Sequence, residues 1–339
     1  MQHLQLTQGV PLNMGLTISL CDYSDVDNLI SFIDSDWKNN HIFVRDRELF
    51  DWQHKGKDCY HFVVAKDGDD IIGILGYIPL SQYSSLLIEN NELWLAIWKV
   101  KDGVKKPGLG LMMLNFLNKM YNKPTICSLG LSSHVIPIYK ALKYKVGILE
   151  HHAFFNQDFN TFSIGNPGER YLASISKNNF KYEVSDNIAT IPESFFFNYP
   201  KKNNEYIKNR YINHPRYSYK FLSIHDDEKL LSVSVYREII INNAKIGRIV
   251  DSFGENIMNQ KFNFAISNFL YETRYEYLDL VSNLPRSSGS GFIKSSESVI
   301  IPNYFEPFEM RNVKIDYAYK ANKDLVIFRG DSDQDRPNI

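Results

Sequence analysis

The chain has 339 residues, which is more than one average globular core needs, so two domains are the first expectation. Its 38 basic and 39 acidic side chains leave a formal charge of −1, which offers no basic surface for a nucleic-acid backbone. The three cysteines have neither disulfide nor zinc-site spacing, so we expect no metal.

The start of the chain carries neither a basic leader nor an apolar run of signal-peptide length. The longest apolar stretch, residues 71–80, is about half of the roughly 20 residues that cross a bilayer. The sequence therefore predicts a cytoplasmic protein that does not associate with membranes.

In chain order, hydrophobic periodicity predicts alternating strands and helices in the first half of the sequence. The strands fall at residues 15–20, 60–66, 70–78, 92–100, 125–131 and 146–155, and the helices at residues 24–37, 108–121 and 136–142. Asp67-Gly68-Asp69 predicts a hairpin turn between the second and third strands. The predicted order is β-α-β-β-β-α-β-α-β.

The second half repeats part of this order. Residues 156–204 are rich in Asn, Pro, Gly and Lys, which predicts the connection between two domains. Strands at residues 217–224, 230–241, 245–253 and 277–281 and a helix at residues 259–272 follow. We therefore predict an α/β (α+β) protein with tandem domains over residues 1–165 and 166–339. Each domain should contain a mixed, mostly antiparallel sheet flanked by helices.

The turn Lys105-Lys106-Pro107-Gly108-Leu109-Gly110, between the fourth strand and the second helix, has the features of a phosphate-binding loop. Backbone amides and the helix dipole at a helix N-terminus favour an anion. Glycine at Gly108 and Gly110 removes Cβ atoms that would hold a diphosphate away from the backbone. Lys105 and Lys106 add positive charge. A tight turn with packing glycines is the alternative that spacing alone leaves open.

This loop resembles that of the GNAT superfamily of acyl-CoA N-acyltransferases, which has the form R/Q-x-x-G-x-G/A after the fourth strand. Lys105 stands where the family has Arg or Gln, and it keeps the charge without the bidentate geometry. The resemblance implies that the loop, with Leu109, binds the diphosphate of acyl-CoA. It also implies that the fourth and fifth strands diverge, so that Ile97, Trp98 and Lys99 bond the pantetheine arm as a further strand would.

A second family signature is a helix that ends in a pattern like L-Y-x-x-x-G-F. The segment Ile138-Tyr139-Lys140-Ala141-Leu142-Lys143-Tyr144 resembles it, with Lys143 in the place of the glycine. The resemblance implies that Tyr139 is a general acid that protonates the departing thiolate of coenzyme A. A core tyrosine on an amphipathic helix is the alternative.

The second domain has the single glycine Gly254 at the place of the loop, so we expect only the first domain to bind the cofactor.

Three further strings resemble bacterial nucleotide-sugar N-acyltransferases, which acylate the amine of a dTDP-linked amino-deoxysugar. They lie at residues 50–53, 209–215 and 330–337. The acceptor-binding residues that this resemblance implies are Trp52, Gln53, Arg210, Tyr211, His214 and Arg336. The arginines would clamp a diphosphate, the aromatic rings would stack on thymine or sugar, and the glutamine would bond hydroxyls. A packing tryptophan, a surface ion pair and a solvated acidic tail are the alternatives.

The predicted function is transfer of an acetyl or 3-hydroxybutyryl group from coenzyme A to the amine of a dTDP-linked amino-dideoxysugar, by direct attack on the thioester. Such a reaction serves bacterial surface polysaccharide biosynthesis, as in lipopolysaccharide O-antigen. We expect these two substrates as the partners of a monomer or small homo-oligomer. Two alternatives remain: a tandem-domain aminoacyl or peptidyl transferase that acts on cell-wall precursors, and a non-catalytic module that binds coenzyme A or a nucleotide sugar.

Overall fold

The computed structural model describes residues 10–13, 15–169, 173 and 175–337. The chain divides into two compact units. Unit 1 consists of Met1–Leu129, Tyr319–Ala321 and Pro337–Ile339, and unit 2 of Gly130–Ala318 and Asn322–Arg336. Residues 130–165 fall in unit 2 of this division, and the domain bounds 1–165 and 166–339 stay a prediction. Within the described ranges, no helix has both the length and the apolar character to span a bilayer.

Unit 1 is a mixed sheet flanked by helices. Its described strands are β1 (Val10–Asn13), β2 (Leu16–Cys21), β3 (Tyr60–Asp67), β4 (Asp70–Pro79), β5 (Glu92–Val100) and β6 (Thr125–Leu129). Its described helices are α1 (Val26–Phe32), α2 (Ile42–Arg45), α3 (Arg47–His54) and α4 (Leu109–Met120). The strands follow chain order in the sheet, antiparallel from β1 to β5 and parallel between β5 and β6.

The two faces of this sheet bury different helices. Phe32 of α1 and Phe50 of α3 share one apolar cluster with Phe62 of β3. On the other face, a Cβ at Gly73 of β4 would lie 3.1 Å from the Met113 side chain of α4. The predicted hairpin and the predicted helix after the glycine loop are confirmed. Two helices, α2 and α3, lie between the first predicted helix and the second predicted strand, in a segment for which we predicted no element.

Unit 2 contains a second mixed sheet. Its strands are β7 (Lys145–Phe155), β8 (Phe180–Ser185), β9 (Lys220–Asp226), β10 (Lys229–Ile241), β11 (Ala244–Gly254), β12 (Tyr277–Ser282) and β13 (Ile293–Lys294), and β14 (Ile315–Lys320) begins in it. Its helices are α5 (Ile136–Ala141), α6 (Asn204–Ile207) and α7 (Asn263–Thr273). The order is β7-β12-β11-β10-β9-β8, with β13 beside β7 and the single parallel pair between β11 and β12 among the described pairs.

The two units repeat one topology. Three antiparallel pairs, β2–β3–β4–β5, lead to the parallel pair β5–β6, and α4 connects the last two strands. In unit 2, β8–β9–β10–β11 lead in the same way to the parallel pair β11–β12, and α7 connects them. The core of this repeat surrounds Ile266 and Phe269 of α7. The predicted tandem architecture is confirmed.

Candidate functional site

Strand β5 contains a bulge at the place where its pairing with β6 ends. The parallel ladder joins Glu92–Leu95 to Thr125–Ser128 and stops there. The antiparallel pairing of β5 with β4 continues to Val100, with one additional β5 residue inserted between Leu95 and Trp98. A bulge twists and redirects a strand and interrupts its ladder. The last residues of β5 therefore extend beyond the β5–β6 ladder, toward the predicted phosphate loop.

Gly108 lies at the start of α4, at the end of that loop. Its φ is +79°, a left-handed conformation that glycine adopts without steric cost. A Cβ built on Gly108 would meet no atom within 4 Å. The loop is therefore open at this residue, and its open side leaves room for a ligand against the first turn of α4.

The first turn of α4 presents main-chain donors. An α-helix leaves its first N–H groups without intrahelical acceptors. In this turn the Leu109 amide donates to the Lys106 carbonyl at 3.2 Å, whereas the amides of Gly110 and Leu111 have no hydrogen-bond acceptor among the described residues. Aligned amides of this kind, at the positive end of a helix dipole, suit a phosphate group.

The charges near the loop complete this chemistry. Lys105 and Lys106 are both exposed. Lys99, by contrast, forms an ion pair of 2.8 Å with Asp102. Two ammonium groups beside unpaired helical amides match the charge of a diphosphate, so the residues present fit the diphosphate of coenzyme A.

Gly110 is explained by packing. A Cβ on Gly110 would lie 2.9 Å from Trp98 Nε1 and 3.3 Å from Trp98 Cε2. Trp98 comes directly after the bulge of β5. The absence of a side chain at Gly110 thus lets α4 approach the indole of β5, whereas Gly108 supplies the open conformation. Packing, the alternative to a phosphate role, accounts for one glycine of the motif.

Replacing Gly110 with alanine is expected to lower the free energy of unfolding by about 1–3 kcal/mol, because a methyl group would overlap the Trp98 indole. Denaturant unfolding followed by tryptophan emission measures both the loss and the disturbed ring. Met112→Ala is the control, because Met112 lies on the same helix with 43 % of its surface exposed, so its replacement should change the free energy of unfolding by only about 0.5 kcal/mol. A Gly110→Ala protein as stable as the control would contradict the packing assignment.

Tyr139 lies on α5 in unit 2, with 1 % of its surface exposed. Its ring centroid is 5.0 Å from that of Tyr144. Lys143, which replaces the glycine of the family signature, has φ +62°. A left-handed residue after a helix C-terminus is the position that favours glycine. The backbone therefore keeps the geometry of the motif although the side chain is lysine.

Trp52 and Gln53 lie side by side on α3 of unit 1. Trp52 is partly buried, and its ring centroid is 5.1 Å from that of Tyr83. Gln53 is fully buried, with its Nε2 2.9 Å from His54 Nε2. Its Oε1 has no partner within the described part of the chain. Trp52 thus has the exposed surface that stacking on a ligand requires, and Gln53 lies in the interior.

In unit 2 the structure brings two acceptor strings together. Arg210 is buried, and its Nη2 donates to the carbonyls of Gly330 and Ser332 at 3.1 and 3.3 Å. The Tyr211 hydroxyl, also buried, donates to Asp251 at 2.8 Å. The string that contains Arg210 is therefore attached to the C-terminal string through backbone carbonyls.

His214 and Arg336 differ in exposure. His214 is buried, and its Nδ1 accepts the amides of Arg216 and Tyr217 at 3.1 and 2.9 Å. Burial, with Arg210 nearby, lowers the pKa of His214 to about 3, so this imidazole is neutral near pH 7. Arg336 keeps 17 % of its side-chain surface and lies 3.4 Å from Asp333.

A buried lysine, which the sequence analysis did not single out, adjoins this region. Lys202 Nζ lies 2.6 Å from Asp251 and 2.9 Å from Asp331. Burial raises the pKa of Asp251 to about 6 even though Lys202 opposes the shift. The alternation of Asp331, Asp333 and Asp335 in the C-terminal string was the sequence signal for buried ion pairs of this kind.

The acidic C-terminal string is an internal part of unit 2. Asp335 is fully buried and accepts hydrogen bonds from Tyr219 at 2.7 Å and Arg237 at 3.2 Å, with Arg329 at 3.4 Å. Burial opposes ionisation, but Arg237 and Arg329 hold the pKa of Asp335 well below its usual range. The solvated-tail alternative is therefore wrong for this string.

The sequence matches no protein-family model and no curated protein. Solved structures are similar in fold. A GCN5-related N-acetyltransferase from Anabaena variabilis has a TM-score of 0.54 at 11% identity, over 90% of this chain and 72% of that one. A GCN5-related N-acetyltransferase from Kribbella flavida has a TM-score of 0.51 at 9% identity, over 90% of this chain and 70% of that one. The chain therefore has a GNAT-like fold, as the resemblance implied.

Proposed function

We propose that the protein is an acyl-CoA-dependent N-acyltransferase and that unit 1 binds the acyl-CoA. One observation carries the proposal: the bulged end of β5 leads into a loop where Gly108 is open and the amides of Gly110 and Leu111 lack acceptors among the described residues. The GNAT-like fold supports it. Acyl-CoA would supply an acyl group activated as a thioester.

Each group of residues in unit 1 has a defined task in this proposal. The amides from Gly108 to Leu111 would hold the diphosphate, and Lys105 and Lys106 would neutralise its charge. Backbone groups of Ile97–Lys99 would hold the pantetheine arm as a further strand and polarise the thioester carbonyl. Preorganised main-chain donors require no titratable group, so this part of the site is expected to work across neutral pH.

We propose a dTDP-linked amino-dideoxysugar as the acceptor. An amine on a deoxysugar is less basic than lysine, so a neutral fraction exists near pH 7 without a dedicated base. Trp52 in unit 1 is partly exposed, as a stacking residue must be. In unit 2, Arg336 retains exposed surface, whereas Arg210 and Tyr211 are buried and would support the region rather than contact the ligand.

A thiol-release assay tests this function. Acetyl-CoA and 3-hydroxybutyryl-CoA are each combined with dTDP-3-amino and dTDP-4-amino dideoxysugars, and with a lysine-containing peptide as the control acceptor. The proposal expects thiol release that depends on an amino sugar. Release with the peptide alone would refute the sugar acceptor. Silence with every pair, despite coenzyme A binding, would favour the non-catalytic module.

We also propose Tyr139 as the general acid for the departing thiolate, on the match to the family signature. Tyr139→Phe is expected to lower kcat at least about tenfold, with little change in the KM for the donor. Tyr144→Phe is the control, because it removes a hydroxyl from the ring that packs on Tyr139. Equal kcat values for the two variants would remove the acid role from Tyr139.

A further inference from the structure

Unit 2 repeats the bulge of unit 1. Its parallel ladder joins Gly247–Ile249 to Leu278–Leu280 and ends there. In the antiparallel pairing with β10, one additional residue, Val250, is inserted into β11 between Ile249 and Asp251. In both units, therefore, the strand before the connecting helix has its bulge directly after the parallel ladder.

In unit 2 a segment near the end of the chain binds at this divergence. The Gly330 amide donates to the Val250 carbonyl at 2.8 Å, and the Arg329 amide donates to the Val281 carbonyl at 3.1 Å. Val250 is the bulge residue of β11, and Val281 follows the ladder on β12. Consecutive amides of one segment thus bond both diverging strands.

Asn283 holds the same segment beyond the end of β12. Its Nδ2 donates to the Leu325 carbonyl at 2.8 Å, and its Oδ1 accepts the Ile327 amide at 2.8 Å. Its own amide donates to the Ile327 carbonyl at 3.2 Å. Ser282 and Phe328 form an antiparallel bridge between them. Leu325–Gly330 therefore binds β12 as a short additional strand.

The segment is enclosed as well as hydrogen-bonded. Leu325, Ile327 and Phe328 are all buried. A Cβ on Gly330 would lie 2.6 Å from the Val250 carbonyl oxygen, so only glycine permits this approach to the bulge. The contact between Gly330 and β11 thus requires glycine at position 330.

The turn that corresponds to the phosphate loop is also filled. Gly254 has φ +77°, like Gly108, but a Cβ on Gly254 would lie 2.6 Å from both the Leu231 carbonyl oxygen and the Phe195 ring. The next amide, that of Glu255, donates to the Leu231 carbonyl at 2.9 Å. In unit 2 the chain itself thus fills the space that corresponds to the open space beside Gly108 in unit 1.

We infer that Leu325–Gly330 is an intramolecular ligand of unit 2, bound in the groove that corresponds to the acyl-CoA groove of unit 1. An extended peptide offers the alternating main-chain donors and acceptors that diverging strands bind. The second domain is therefore closed to coenzyme A, and each chain binds one acyl-CoA. The stoichiometry rests on the function proposed for unit 1, whereas the occupation of the groove does not.

Hydrogen exchange of the full chain tests the occupation directly. The amides of Ile327, Arg329 and Gly330 should exchange slowly in the unmodified protein. Asn283→Ala should accelerate them at least about tenfold, because it removes two of the hydrogen bonds that hold the segment. Asn312→Ala is the matched control, since Asn312 also holds a backbone loop of unit 2 through both side-chain atoms.

Two results would overturn the occupation. One is exchange of the segment in the unmodified protein at the rate of an exposed loop, a result that needs no variant to fold. The other is equal acceleration in Asn283→Ala and Asn312→Ala, which would mark a general loss of stability. Acceleration confined to Asn283→Ala supports the inference.

Calorimetric titration with coenzyme A tests the stoichiometry. One equivalent per chain is expected, and none in Gly108→Glu. Two equivalents, falling to one in Gly108→Glu, would overturn the inference and keep the proposed function. One equivalent that survives Gly108→Glu, or no binding by the unmodified protein while the segment is protected, would overturn the unit 1 site instead.

Discussion

Coenzyme A should bind Gly108→Glu at least about a hundredfold more weakly than the unmodified protein, which corresponds to roughly 3 kcal/mol. The new carboxylate would project into the space beside the first turn of α4, where the diphosphate is proposed to bind, and it would repel that diphosphate. The left-handed φ of +79° would add strain to any residue other than glycine. Calorimetric titration measures the change in Kd.

Gly103→Glu provides a matched control for charge and strain. Gly103 has φ +82° and no atom within 4 Å of a built Cβ, and it precedes Gly108 in the connection between β5 and α4. The Kd of the Gly103→Glu protein for coenzyme A should stay within about threefold of the value for the unmodified protein, because an exposed charge away from the helix start is screened. Equal weakening by both variants would mean that the helix start is not the diphosphate site.

The second large effect concerns the buried charges of unit 2. Asp279→Asn is expected to lower the free energy of unfolding by about 3–5 kcal/mol, because it leaves a buried arginine without its counter-charge. Asp279 is fully buried, with Arg248 Nη2 at 2.6 Å and His151 Nε2 at 2.8 Å. Burial alone would raise the pKa of Asp279, but Arg248 holds it at about 2. Denaturant unfolding at pH 7 measures the loss.

Asp251→Asn is the comparison that isolates the electrostatic cause. Asp251 is equally buried, but burial raises its pKa to about 6 despite the contact with Lys202. The neutral form of the Asp251 side chain is therefore less disfavoured. In the variant, Lys202 would still have the carboxylate of Asp331 as a partner at 2.9 Å. The same substitution should cost less than Asp279→Asn, about 1.5–3 kcal/mol, which is the contribution of a hydrogen bond to a charged group. Equal costs for the two variants would contradict the opposite pKa shifts.

The two carboxylates also differ in the sign of their pH dependence. The pKa of Asp279 is depressed from 3.8 to about 2 in the folded protein, so its stabilisation is complete above pH 4 and is lost as the pH falls toward 2. The pKa of Asp251 is raised, so the penalty of its burial diminishes as the pH falls through about 6. Below pH 4, Asp279→Asn should therefore lose less stability with falling pH than the unmodified protein.

Local patterns were sufficient for the elements that carry the proposed site. The apolar run of β5 and the glycine turn before α4 are continuous in sequence, so periodicity and turn chemistry locate them. The repeat in unit 2 is visible for the same reason. The helices α2 and α3 were missed because they have only four and eight residues, too few to show a clear helical period. The start of α3 is marked by the Asp46 side chain, which accepts the Leu49 amide at 3.0 Å.

The remaining features depend on contacts between distant parts of the chain. Nothing near Gly110 in sequence indicates that it faces Trp98 across the start of α4. Lys202 acquires its partners from β11 and from the C-terminal string, and Leu325–Gly330 acquires its partners from β11, β12 and Asn283. Single-sequence reasoning identifies residue types suited to such roles but not their pairing. The opening at Gly108 and the filled turn at Gly254 likewise depend on which distant residues come near each glycine.

A crystal structure of the full chain with coenzyme A tests the central claim most directly. We expect the diphosphate within hydrogen-bond distance of the main-chain amides between Gly108 and Leu111, and the pantetheine arm along Ile97–Lys99. Unit 2 should keep Leu325–Gly330 in its groove. Coenzyme A bound in unit 2, or no ligand at the start of α4 at saturating concentration, would contradict the account.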